Sequence, residues 1–179
     1  MSAASAESEK GLLLVYTGDG KGKTTAGLGQ AIRAAGQGMK VCVVQFIKGT
    51  WQTGESMFLS RCESIEFHTL GSGFTWQAAD KSEVVEVATR AWDFAREKIM
   101  SDAYDLIILD ELTYLLNYRI IGEDTFLDMM HRKPGRLHLV VTGRDACAAL
   151  VDRADLVTEM KMIKHPYTQG IQARKGIEF

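Results

Sequence analysis

The sequence predicts an α/β protein, a mainly parallel six-stranded sheet with helices on both faces. Three observations carry that prediction. Short apolar runs alternate along the chain with stretches of helical periodicity. Most of these runs lack the strict apolar–polar alternation of a strand with one wet face, so they read as strands covered on both sides. A glycine-rich loop, TGDGKGKTT at 17–25, separates the first run from the first helical stretch, which gives a strand–turn–helix unit.

The elements follow in order. Residues 1–10 are small and polar and read as a flexible arm before a single domain at 11–179. Gly11–Tyr16 (GLLLVY) is the first strand, and Ala26–Gln37 is helical, closed by Gly36 and Gly38. Val41–Ile47 (VCVVQFI) is a second buried strand, followed by a loop, KGTWQTGE. Ile65–Thr69 alternates and forms a third strand. Asp80–Met100 is the longest helix, with Asp80 and Glu83 at capping-box spacing. Its core stripe is Val84, Val87, Ala88, Ala91, Ala95 and Ile99. Leu106–Leu109 is a fourth strand ending at Asp110-Glu111, and one or two helices run on to Arg132. After the Pro134-Gly135 turn come a fifth strand, Leu137–Thr142, a helix at Ala146–Arg153, and a sixth strand, Leu156–Met160. The tail from Lys161 is polar, basic and glycine-containing.

The 179 residues are 46% hydrophobic and 25% charged, enough for one domain with a real core and unlike a disordered or collagenous chain. With 21 basic against 23 acidic side chains, no basic surplus points to a nucleic-acid partner. Cys42, Cys62 and Cys147 are scattered, without CxxC spacing, and read as free thiols of a reducing compartment. The N-terminus lacks a signal-peptide apolar core, and the apolar runs are too short to span a bilayer. A cytoplasmic protein is expected, with no membrane partner.

The loop at 17–25 carries the chemistry. Gly18, Gly20 and Gly22 let backbone N–H groups turn around an anion, and Lys23 supplies a charge to phosphate oxygens. Thr24 opens the helix and can offer its hydroxyl to Mg²⁺; Thr25 adds a second hydroxyl. Asp19 and Lys21 complete the loop. The full P-loop pattern has glycine where this chain has Thr17. Asp110 and Glu111, at the end of the fourth strand, can help hold the magnesium shell, and one of them would face Thr24 if that strand neighbours the first. Spacing does not choose between the two acids. Arg33 and Arg144 are candidate ATP contacts or plain surface ion pairs. Phe74 and Trp76, in SGFTWQ, suit either loop packing or a flat apolar ligand. Gly49, Gly71 and Gly73 lie in loops placed to meet a substrate.

A P-loop does not specify which bond is cut. Attack on the γ-phosphorus gives a kinase or ATPase, attack on the ribose 5′ carbon gives an adenosyl transfer, and a binding module turns nothing over. At this point the ordered set GDGKGKTT, VVQFIKGTW, SGFTW, LDELTY, VVTGR, ADLVTEM, KH (164–165) and QARKGIEF resembles the P-loop type of ATP:corrinoid adenosyltransferase. Asp19 stands where asparagine is common in that family, and the N-terminal arm is shorter than in its longer members. The resemblance implies a RecA-like fold, a homodimer, MgATP in the P-loop and a corrinoid substrate. It implies that Co(I) attacks the 5′ carbon of ATP and displaces triphosphate. It further implies that Phe74 and Trp76 displace the lower axial cobalt ligand, and that electrons come from a reduced flavin or flavoprotein.

Overall fold

The computed structural model describes residues 10–49, 52–71, 73 and 81–178, the side chain of Lys81 excepted. Its elements are β1 (Leu13–Thr17), α1 (Lys23–Gly36), β2 (Val41–Gln45), α2 (Gly54–Leu59), β3 (Ile65–Thr69), α3 (Lys81–Met100), β4 (Leu106–Asp110), α4 (Leu112–Asn117), α5 (Glu123–Arg132), β5 (His138–Thr142), α6 (Ala148–Arg153) and β6 (Leu156–Glu159). A 3-10 turn at Pro166–Gln169 follows in the tail.

All six strands pair in parallel, in the order β3-β2-β4-β5-β1-β6. The β2 and β4 strands are buried along their whole length, as near-continuous apolar runs require. One core cluster joins α1 and Leu59 of α2 to one face of the sheet, through Leu28, Ala31 and Ala34. The other face packs α3, α4, α5 and α6, with Phe126 and Leu115 buried at its centre. The alanine stripe of α3 lies against this face: Ala88, Ala91, Ala95 and Ile99 are buried, whereas Val84 and Val87 are only partly so. Asp80, the expected cap of α3, lies outside the described residues.

Three details differ from the sequence reading. The stretch read as a loop after β2 gives way to α2, whose N-terminus is closed by a Thr53–Ser56 capping box. Its six residues are too few to show a helical periodicity in the sequence. The tail contains the 3-10 turn, which His165 caps through its ring. The last strand, β6, is exposed at every residue and forms one edge of the sheet.

The opposite edge strand, β3, is fastened to α3 through Glu66. Its carboxylate accepts from Lys98 at 2.6 Å and from the Tyr104 hydroxyl, and contacts His68 at 2.6 Å. These bonds pull the Glu66 carboxyl down to about 2. The cluster holds the end strand in place beside the loop that leads toward residue 73.

Candidate active site

Parallel strands all end on one side of the sheet, and the loops that leave them build a cleft there. The loop after β1 bends back through Gly18, with φ at +96°, and enters α1 through Gly22, with φ at +109°. A side chain at Gly18 would place its Cβ 2.4 Å from the Met160 carbonyl oxygen, so glycine is required by contact as well as by conformation. The Gly20 N–H donates to that same carbonyl at 2.7 Å. The chain leaving β6 therefore braces the outer side of the loop.

Lys23 is buried, and its ammonium donates to the carbonyls of Gly18 and Gly20, each at 2.6 Å. Burial lowers its pKa, and the nearby Arg144 guanidinium lowers it further. A phosphate chain laid in the loop would supply the negative charge that this ammonium lacks among its present partners.

The acidic pair at the end of β4 divides into two roles. Asp110 is buried and fully engaged: it accepts from Gln45 Nε2 at 2.8 Å and from Thr142 Oγ1 at 2.7 Å. The Glu111 N–H in turn donates to Thr142 Oγ1 at 3.0 Å. That bond steadies Glu111 in a left-handed conformation, φ 67°, at the N-cap of α4. The turn sends the Glu111 side chain into the cleft. Burial raises its carboxyl to about 7, with the Asp110 charge adding to the rise and Lys23, Lys48 and Arg144 opposing it.

The condition under which Asp110 or Glu111 would face Thr24, that β4 neighbours β1, is not met. The β5 strand lies between β4 and β1. Glu111 nevertheless lines the same pocket as Thr24; its left-handed turn is held by the N–H that donates to Thr142 Oγ1 of the intervening β5.

Thr17, the departure from the P-loop pattern, also acquires a role. Its hydroxyl accepts from the Ala146 N–H at 3.2 Å and ties the loop after β5 to the end of β1. That loop carries Arg144. Gly143 precedes it with φ at +141° and lies so close to Thr113 of α4 that a Cβ would fall 2.0 Å from the Thr113 hydroxyl oxygen.

Together these elements line a pocket of about 280 Å³. The P-loop residues Gly20 to Thr25 form one wall, with Lys48, Glu111, Tyr114 and Arg144 around them. A larger groove of about 440 Å³ runs between α3 and α5, but its arginines are engaged: Arg96 with Asp93 and Arg132 with Asp128.

A sequence profile described as ATP:corrinoid adenosyltransferase BtuR/CobO/CobP matches residues 9–179. The chain belongs to this family. A corrinoid adenosyltransferase of Pseudomonas aeruginosa is 42% identical over 177 residues, covering 98% of this chain and 87% of that protein. The corrinoid adenosyltransferase CobA of Salmonella typhimurium is 36% identical over 98% of this chain and 89% of its own. A crystal structure of the flagellar accessory protein FlaH from Methanocaldococcus jannaschii superposes with a TM-score of 0.57 at 12% identity. It covers 84% of this chain and 71% of that one, a likeness of fold alone.

Within this adenosyltransferase, the sequence-named residues separate clearly. Gly20, Lys21, Gly22, Lys23, Thr24, Thr25, Glu111 and Arg144 line one pocket. Gly18 shapes the loop behind it, and Asp19 is exposed beside Lys23, whose charge it supports. Asp110 stands behind Glu111. Arg33 lies in the last turn of α1, exposed and bonded to Gln30. Ten residues of helix put it about 15 Å along the axis from Lys23, so it does not line this pocket. Phe74 and Trp76 lie outside the described residues. Gly71 has a packing reason: a Cβ there would meet the Phe46 carbonyl at 2.3 Å.

Lys48, Glu55, Tyr114, Ile177 and Glu178 also line the pocket, and the sequence reading missed them. Lys48, Tyr114, Ile177 and Glu178 fall inside the quoted stretches VVQFIKGTW, LDELTY and QARKGIEF, so that signal existed. Glu178 lies more than 150 residues from the P-loop, and only the folding of the tail brings it there.

Proposed function

We infer that the protein transfers the 5′-deoxyadenosyl group of ATP to the Co(I) centre of cobalamin or another corrinoid and releases triphosphate. Family membership across almost the whole chain supports this, together with a P-loop pocket that gathers four cations. That second feature is the observation that carries the reading: Lys21, Lys23, Lys48 and Arg144 converge where a polyphosphate leaving group needs stabilisation.

The chemistry asks for alignment and charge rather than an activated side chain. The electron pair of Co(I) forms the cobalt–carbon bond, the C5′–O bond breaks, and its electrons leave on the triphosphate. Lys23 and the loop N–H groups neutralise that charge as it develops. Arg144, held by the Thr17 tie, approaches from the facing loop.

Magnesium fits this site. The Glu111 carboxyl is raised to about 7 by burial although Lys23, Lys48 and Arg144 oppose the rise, and Thr24 lines the same pocket. Magnesium favours such sparse protein ligation, with phosphate and water supplying the rest. When bound it would shield the triphosphate charge; Thr24 and Glu111 would hold it, with Asp110 orienting Glu111 from behind. Phe74 and Trp76 are proposed to clear the lower axial position of the corrinoid, easing one-electron reduction of Co(II) by a reduced flavin or flavoprotein. A homodimer working in the cytoplasm completes the proposal. No described helix is long and apolar enough to cross a membrane.

The test is a product assay with ATP, magnesium and chemically reduced cobalamin. Triphosphate and a light-sensitive adenosylated corrinoid are expected in equal amounts. Orthophosphate or ADP as the only product would overturn the assignment in favour of an ATPase or kinase.

A further inference from the structure

The tail of the chain returns to the P-loop. After β6, the Met160 N–H donates to the Thr17 carbonyl at 2.8 Å and its carbonyl accepts from Gly20. The chain then passes through the 3-10 turn and closes on itself near its end, where the N–H groups of Ile177 and Glu178 donate to the Arg174 carbonyl at 3.1 and 2.8 Å. That turn seats Glu178 in the P-loop pocket, in an ion pair with Lys21. The Glu178 side chain is only 18% exposed, against 48% for its partner. Its carboxylate is therefore the buried member of the pair, drawn into the cleft rather than resting on the surface.

An acidic group in a cleft that gathers Lys21, Lys23, Lys48 and Arg144 occupies the place of an anion. Glu111 and Glu55 line the same cleft, so a polyphosphate entering with Glu178 in place would meet three carboxylates. Displacing Glu178 removes one of them and frees Lys21 for phosphate.

We propose that Glu178 is an internal competitor for the triphosphate seat. The tail withdraws as the polyphosphate enters and returns as it leaves, which favours release of the triphosphate product. This rests on the reading of the P-loop as the triphosphate seat. A ligand with several negative charges outcompetes a single carboxylate, so the contact weakens binding without blocking it. The competing pair is half exposed on the lysine side, and such pairs contribute modestly.

The test is calorimetric titration of inorganic tripolyphosphate with magnesium into the full-length protein and its Glu178→Gln variant. The variant is expected to bind about two- to fivefold more tightly, the range set by a partly exposed ion pair. Removing Lys21 first, in a Lys21→Met background, should abolish that gain. Equal or weaker binding by Glu178→Gln overturns the proposal while leaving the triphosphate seat intact. No binding by the unaltered protein overturns both. Limited trypsin digestion gives a second readout, since Arg174 and Lys175 are exposed beside the turn. Tripolyphosphate is expected to speed cleavage there, and unchanged or slower cleavage counts against a withdrawing tail.

Discussion

The Thr142 hydroxyl donates to Asp110 at 2.7 Å and accepts the Glu111 N–H at 3.0 Å. One hydroxyl at the end of β5 thus joins a buried carboxylate to the backbone of the acid that faces the cleft. The relay continues outward, because Gln45 donates to Asp110 at 2.8 Å and accepts from Thr69 at 3.3 Å. The ends of β3, β2, β4 and β5 are locked into one polar network, and its effect is to aim Glu111. Thr142→Val leaves Asp110 short of a partner in a buried setting. It should cost about 1–3 kcal/mol of stability and lower kcat/KM for ATP. Denaturant unfolding and steady-state kinetics check both, and an unchanged kcat/KM would detach the relay from function.

Lys23 is expected to act on charge that develops on the triphosphate. Lys23→Ala should lower kcat/KM roughly a hundredfold or more, the scale of losing a preorganised charge donor. Product formation with pre-reduced corrinoid measures this. Retained turnover would contradict the assigned role.

Glu111 predicts a pH dependence. Its carboxyl is raised from 4.5 to about 7 in the folded protein, so the folded form binds the proton more tightly. The stabilisation from this group is present below pH 4.5 and is lost as pH rises through about 7. Melting temperature against pH, in chelator, should show that slope, and Glu111→Gln should remove it. With magnesium present the sign reverses, because cation and proton compete for the same carboxylate. The magnesium concentration needed for half-maximal rate should therefore rise as pH falls below about 7.

Thr17→Val removes the acceptor for Ala146 and loosens the loop that carries Arg144. A raised KM for ATP is expected with a stability change of about 1 kcal/mol, and Thr17→Ser should restore the KM. If serine fails to rescue, the methyl packing of Thr17 matters more than its hydroxyl.

Trp76→Ala should sharply reduce activity with enzymatically reduced Co(II) corrinoid and do so less with pre-reduced Co(I). Parallel assays separate the two, and equal loss in both would argue against ligand displacement by this loop.

Much of the architecture was legible along the chain because its determinants are local. Apolar runs without alternation, set between helical stretches, read as strands covered on both faces, and GKTT between a strand and a helix reads as a loop whose N–H groups turn around an anion. The P-loop residues and the acid pair after β4 followed from the same reasoning, as did the family resemblance. What the sequence left open were matters of distance. Asp110 and Glu111 are adjacent and chemically alike, and only the positions of Thr142 and Gln45 decide that one is buried and the other faces the cleft. Arg33 and Arg144 are equally plausible as letters, yet helix length carries Arg33 away while Thr17 ties Arg144 in. Glu178 reaches Lys21 because the chain after β6 braces the P-loop and turns back, a contact between residues far apart in sequence that no periodicity encodes.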